Sequence, residues 1–187
     1  APDSMSQAKY SAMRERSVGL GVMGFHSFLK SKMVPFGSVI AQSWNRKIFK
    51  HIKEQADKAS VRLAEEKGAC PDAADYSIME RFSHKLAVAP TASISVIAGG
   101  ASAGIEPSSA NSYTHKTLTG SFNVKDRHLK TLLESKGKDT DEVWSSIMLN
   151  EGSVAHLEFL SDYEKEVFKT AFEIDQMWVI EHAADRT

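Results

Sequence analysis

An α/β fold, rich in helix and sparing in strand, is what the sequence predicts, and three observations lead there. Apolar residues recur at three- and four-residue spacing through residues 13–32, 38–63 and most of 126–184, the pattern of amphipathic helices. Around residues 86–89 and 113–124 that periodicity gives way to short apolar or alternating runs bounded by Pro and Gly, which read as strands. The 187 residues, 42% hydrophobic and 25% charged, allow one domain with a real core and perhaps a small second lobe, and exclude a large multidomain enzyme.

The first helix is expected over residues 13–32, with Val18, Val22, Phe25 and Leu29 on one face, stopped by Pro35, Phe36 and Gly37. Ser38 can cap a second, longer helix whose apolar positions Ile40, Trp44, Ile48, Ile52, Ala56, Ala59 and Leu63 run up to Gly68. Its charged residues, Lys53, Glu54, Asp57, Lys58, Arg62, Glu65 and Glu66, lie opposite that stripe and read as a solvated face rather than a docking helix. Gly68-Ala69-Cys70-Pro71 ends the helix, and residues 86–89 form a short apolar run halted by Pro90, the end of a buried strand. Strands at 113–118 and 121–124 flank Thr119-Gly120. Helices return at 126–135, at 139–149 with Asp139 or Thr140 as cap, and at 161–184 with Phe168, Phe172, Met177 and Ile180 inward. The last helix runs into Asp185-Arg186-Thr187 with no glycine stop, and the chain reads as cut at both ends.

The charge balance, 23 Lys and Arg against 24 Asp and Glu, gives no basic footprint for nucleic acid or an anionic membrane. No apolar stretch approaches the roughly 20 residues of a membrane span, and Ala1-Pro2-Asp3-Ser4 does not begin a signal peptide. The single Cys70 excludes an intramolecular disulfide, a Cys-x-x-Cys pair and a structural zinc site of several thiolates. A reducing cytoplasm is the default setting, and with no two His at i, i+4 around a Glu, no metal is expected.

Gly19-Leu20-Gly21-Val22-Met23-Gly24 has the letters of the dinucleotide-binding GxGxxG. The charged stretch Met13-Arg14-Glu15-Arg16-Ser17 stands where that motif needs an apolar strand, and the next acid, Glu54, is too distant for the ribose. Glycines on a helix face that permit close packing are the expected account. The informative stretch is Ala89-Pro90-Thr91-Ala92-Ser93-Ile94-Ser95, followed by Gly99-Gly100 and Gly104-Ile105-Glu106-Pro107. A strand ending at proline, then hydroxyl residues entering a short helix, gathers free backbone N–H groups and the Thr91, Ser93 and Ser95 hydroxyls. Two readings stay open on spacing alone: an anion cradle, or ordinary helix capping by Ser and Thr. Glu106 before Pro107 is extended and either faces a ligand or ties down the turn. Cys70, a loop thiol with no His beside it in sequence, reads as inert, and no Gly-x-Ser-x-Gly elbow supports a Ser-His-Asp site.

These residues carry a resemblance. Residues 86–107, LAVAPTASISVIAGGASAGIEP, resemble the substrate-phosphate loop of the large (alpha) subunit of class I ribonucleoside-diphosphate reductase. Other stretches agree: Arg14-Glu15-Arg16 through Gly24-Phe25-His26, Gly68-Ala69-Cys70-Pro71, Asn111-Ser112-Tyr113-Thr114-His115-Lys116, and Phe172-Glu173-Ile174-Asp175-Gln176 with Ala184-Asp185-Arg186-Thr187. The resemblance implies that residues 1–187 are a C-terminal part, incomplete at both ends, of the family's catalytic domain, a ten-stranded α/β barrel. It further implies that Pro90, Thr91, Ala92, Ser93 and Ile94 line the site for the diphosphate of a ribonucleoside diphosphate.

That family removes the 2'-hydroxyl of its substrate by radical chemistry, supplying DNA precursors, and needs a thiyl-forming cysteine and a reducing cysteine pair. One cysteine cannot fill three posts, and Cys70 matches none of them, so the isolated chain is expected to be inactive. The resemblance implies no cofactor within this chain. It places the radical in a metal-bearing small (beta) subunit, nucleotide effectors upstream, and the parent as an alpha homodimer. The alternative is a free-standing module that binds phosphate ligands or a partner and reuses this part of the barrel.

Overall fold

The computed structural model describes residues 4–117 and 120–186. Its elements in chain order are α1 (Ser6–Glu15), α2 (Phe25–Ser31), α3 (Val39–Lys67), α4 (Pro71–Ala74), α5 (Ala92–Ile97), β1 (Ser112–Thr117), β2 (Gly120–Lys125), α6 (Arg127–Ser135), α7 (Asp141–Leu149), α8 (Asp162–Val167) and α9 (Gln176–Ala184). The helix-rich, strand-poor make-up is as expected, with one two-stranded sheet among the described residues. Two units result: residues 1–21 with 46–89, and residues 22–45 with 90–187. None of the described helices is long and apolar enough to cross a membrane.

In the first unit the expected helix over 13–32 is not continuous. α1 ends where Arg16 turns left-handed at φ 51°, and the chain then runs extended. The Val18 and Leu20 N–H groups donate to the carbonyls of His84 and Lys85 at 3.0 and 2.9 Å, and Ala87 N–H donates back to Leu20 O at 3.1 Å, a parallel bridge between Leu20 and Leu86. The run at 86–89 is therefore an exposed extended segment with one bridge, not a buried strand. Gly19 and Gly21 are not on a helix face either: a Cβ on Gly19 would stand 2.9 Å from the Ala87 Cβ, and one on Gly21 would stand 2.8 Å from the Ala87 carbonyl oxygen. Glycine is required by the closeness of the two extended backbones.

The portion of α3 in this unit keeps its predicted stripe, with Ile48, Ile52, Ala56, Ala59 and Leu63 half-buried. Its charged face is solvated and carries i, i+4 pairs such as Lys53 with Asp57 at 3.2 Å. Arg81 closes the helix by donating to the Lys67 and Gly68 carbonyls at 3.0 and 2.9 Å. Cys70 is the N-cap of α4, with Pro71 in the first turn, and its side chain is fully buried. Arg14 of α1 grips both acids of that turn, Asp72 at 2.6 Å and Asp75.

In the second unit Gly24, at φ 83°, turns the chain into α2. Ser38 caps α3 as the sequence predicts, accepting the Ala41 N–H at 3.2 Å. The main apolar core is Leu129 and Leu133 of α6, Trp144 and Ile147 of α7, Val154, Leu157, Leu160, Val167 and Phe168. β1 and β2 form an antiparallel hairpin pairing Tyr113 with Val124 and His115 with Phe122. Leu118 and Thr119, where the predicted first strand ends and the turn begins, lie outside the described residues, as do Ala1, Pro2, Asp3 and Thr187. Asp126 caps α6, and Thr140 rather than Asp139 caps α7.

The predicted helix over 161–184 divides into α8 and α9. The Phe168 carbonyl is captured by the Asn111 side-chain amide at 2.7 Å, and Glu173 bonds the Thr170 N–H and the Ser153 hydroxyl at 2.8 and 2.6 Å. Phe168 is buried, as expected, whereas Phe172, Met177 and Ile180 are exposed.

Candidate functional site

The predicted phosphate loop enters the short helix α5 through Thr91, which sits in the left-handed region at φ 52°. A β-branched residue there is strained by about 1–3 kcal/mol, and its side chain is fastened elsewhere: the Thr91 Oγ1 accepts the Gly104 N–H at 2.7 Å. Thr91 consequently makes no side-chain cap on α5, so the capping expected of a hydroxyl at this point is not made. The first intrahelical bond is Ser95 N–H to Thr91 O at 2.9 Å, and the Ser95 hydroxyl turns back to Ala92 O at 2.8 Å. The N–H groups of Ala92, Ser93 and Ile94 have no acceptor among the described residues.

Beside the loop lies a cleft of about 550 Å³ within the second unit. Pro90, Ala92 and Ser95 form one wall, the turn 100–103 and the segment 106–111 another, and Tyr113, His115 and Val124 of the hairpin a third. Of the five residues assigned from sequence, Pro90 and Ala92 line this cleft, whereas Thr91, half-buried, and Ser93 and Ile94, exposed on α5, are not among its lining residues. Glu106 is exposed on the cleft wall. Lys125 is occupied, 3.4 Å from Asp141 and 5.1 Å above the Trp144 ring.

The walls are held by groups that spacing does not reveal. The first turn of α2 needs acceptors for its N–H groups, and the turn 102–104 supplies them: Gly24 N–H donates to Ser102 O at 2.9 Å and Phe25 N–H to Gly104 O at 3.4 Å. Ser27 and Ser102 exchange bonds, each hydroxyl accepting the other's backbone N–H, at 3.1 and 2.8 Å. The Ser108 N–H donates to His26 Nδ1 at 2.8 Å. One turn further along α2, the fully buried Lys30 ammonium donates to Asn111 Oδ1 and Asp126 Oδ2, both at 2.9 Å. Burial opposes ionisation of Asp126, but the Lys30 charge and hydrogen bond, with the Leu129 N–H, hold its carboxyl below the usual range. Burial, and then the Lys30 charge, push the His26 imidazole well below its ordinary pKa. The one sequence signal was His26 and Lys30 together at i, i+4 on a face otherwise apolar.

The buried Cys70 belongs to the first unit and caps a helix. Among the described residues no three of His, Cys, Asp or Glu gather as metal ligands. What this arrangement can do is bind: N–H donors at the start of α5 without acceptors among the described residues, Ala92 among them lining a cleft whose walls are pinned from α2.

Comparison with known proteins identifies the family. The family described as "Ribonucleotide reductase, barrel domain" matches residues 2–80 and 74–187. The large subunit of ribonucleoside-diphosphate reductase from Invertebrate iridescent virus 6 is 46% identical over 190 residues, taking in 100% of this chain and 20% of that protein. The Caenorhabditis elegans large subunit is 31% identical over 97% of this chain and 27% of its own length. The class Id ribonucleotide reductase alpha subunit of Actinobacillus ureae superposes with a TM-score of 0.89 at 40% identity, over 99% of this chain and 33% of that one. The chain thus spans between a fifth and a third of the length of these relatives. With the family model matching nearly the whole chain and the backbone trace in agreement, the chain belongs to the ribonucleotide reductase barrel-domain family.

Proposed function

We propose that this chain is the substrate-phosphate wall of a ribonucleoside-diphosphate reductase large subunit, an oxidoreductase that makes deoxyribonucleoside diphosphates for DNA synthesis in the cytoplasm. The observation that carries this reading is the set of N–H groups at the start of α5, on Ala92, Ser93 and Ile94, with no acceptor among the described residues, Ala92 itself lining the cleft. Backbone donors held in place suit a phosphate because they need no reorganisation when charge arrives. The exposed Ser93 hydroxyl adds a further donor, and Thr91, fastened to Gly104, fixes the loop that presents them.

The radical and dithiol steps require cysteines, and the one present is buried in a helix cap, so this chain's share is to hold and orient the diphosphate. In the proposed parent the radical arrives from a metal-bearing beta subunit, effectors bind upstream, and alpha subunits pair.

Titration with pyrophosphate, followed by backbone amide NMR, tests the reading. Each charge-assisted bond is worth about 1.5–3 kcal/mol before immobilisation costs, and a net of about 4 kcal/mol corresponds to millimolar binding. The amides of Ala92, Ser93 and Ile94 should shift together and saturate, and Ser93→Ala should weaken binding several-fold. Amides that stay still here while others move would overturn it.

A further inference from the structure

The segment 106–111 is a wall of the cleft, held at Asn111 at its end and at Ser108 in its middle. The Ser108 carbonyl accepts the Ala171 N–H at 2.8 Å, and its own N–H is taken by the imidazole of His26 at 2.8 Å. His26 is fully buried. Because Nδ1 accepts, the ring proton is on Nε2, and Nε2 finds no partner among the described residues. The ring stands edge-on to Phe36 with centroids 5.4 Å apart, so apolar packing fixes its angle while a single nitrogen addresses the wall. The neighbouring Ser27 fastens the turn at Ser102 in the same way.

We propose that His26 is a positioning residue for the cleft, and that its neutral Nδ1 is a proton-sensitive latch on the Ser108 wall. A proton added at Nδ1 replaces the acceptor with a second donor facing the Ser108 N–H, so the latch has to open before His26 can charge. Burial, and then Lys30 on the same helix, which repels a second cation, favour the closed, neutral form; Asp126, itself engaged by Lys30, pulls the other way more weakly. Beyond Phe36 the cluster holds His182, at 4.9 Å between ring centroids, and Arg186, which lies over Phe25. What the cleft holds rests on the phosphate reading above; the latch itself does not.

Sign and size follow from linkage. The opened form takes up its proton near the ordinary histidine pKa of about 6.5, and the closed form only at lower pH. Between those values the opening equilibrium grows about tenfold per pH unit as pH falls, and above about 6.5 it is flat. Asp126, ordinarily near 3.9 and held lower here, stays ionised through that window.

Amide hydrogen exchange on the 187-residue chain without ligand, corrected for the intrinsic pH dependence of exchange, reads this directly. The Ser108 amide should lose protection about tenfold per unit on going from pH 6.5 toward pH 5, while Leu133 in α6 keeps its own. In His26→Asn, whose amide oxygen can accept the same bond without titrating, the Ser108 profile should become flat. A flat wild-type profile overturns the latch. So does a loss shared equally by Leu133, or a slope that persists in His26→Asn. If the variant does not fold, the wild-type comparison of Ser108 with Leu133 decides alone. Pyrophosphate shifts at Ala92, Ser93 and Ile94 at pH 7 report on the phosphate reading separately, so either idea can fail without the other.

Discussion

With its ammonium out of reach of water, Lys30 depends on two partners, Asn111 and Asp126, and Asp126 depends in turn on Lys30 for its counter-ion. Removing one member of such a pair strands the other charge, which costs about 3–5 kcal/mol, whereas removing both is far gentler. Lys30→Met should therefore destabilise the chain by about that amount in urea unfolding. Asp126→Asn keeps the helix cap on His128 and Leu129, since Asn caps as well as Asp, and so isolates the charge effect. The double variant should recover much of the loss; additive costs would show that the two residues do not act as a pair. Acid has a related effect. Because the Asp126 carboxyl is held below its ordinary value, its contribution is present above about pH 3.9 and disappears as the pH falls through its lowered folded value. Asn111 does not announce its role in sequence, and Lys30 shows only its place beside His26 on an apolar face, since the contact between Lys30 and Asn111 spans 81 positions of chain.

Helix starts were legible where the cap is local. Ser38, Asp126 and Thr140 each accept a backbone N–H two or three residues ahead, and a hydroxyl or carboxylate before an apolar repeat is enough to find them. Helix breaks were not legible, because their causes lie elsewhere in the chain. The apolar spacing of residues 13–32 continues through Gly19 and Gly21, yet pairing with 84–87 pulls that stretch straight. The spacing of 161–184 continues through Phe168, yet Asn111 takes the Phe168 carbonyl. Ser161 tests the local side of this contrast. It and Glu164 form a reciprocal capping box on α8, and Ser161→Ala should cost about 0.5–2 kcal/mol by thermal or urea unfolding. Thr91→Ala, at a helix start with no side-chain cap, should spare α5 and instead free the Gly104 N–H, visible as faster exchange at Gly104. Faster exchange confined to Ser95 and its neighbours would mean that Thr91 supports the helix after all.

At the scale of the whole chain, the family was legible because it depends on runs of neighbouring letters, residues 86–107 above all, with shorter stretches on either side. The cleft beside the loop from Pro90 to Ile94 was not, since its walls come from α2, the turn 100–111 and the hairpin, brought together by contacts up to 96 positions apart. Each unit also holds a long-range ion pair, and the two differ in their setting. Arg14 meets Asp72 and Asp75 in the open, with about a third of the arginine side chain exposed and more than half of Asp75. Lys30 meets Asp126 in the interior. Ionic strength should therefore tell them apart. Raising sodium chloride from about 0.1 to 1 M shortens the screening length from about 10 to about 3 Å, which weakens exposed pairs and scarcely touches buried ones. Exchange of the α1 amides should quicken by a few-fold over that range while Leu129, behind Asp126, holds steady; an equal response at both places would mean that the interior pair is wetter than its burial indicates. A brackish buffer would then loosen the α1 to α4 junction while the anchor from α2 to Asn111 and Asp126, on the wall of the cleft, stays as it was.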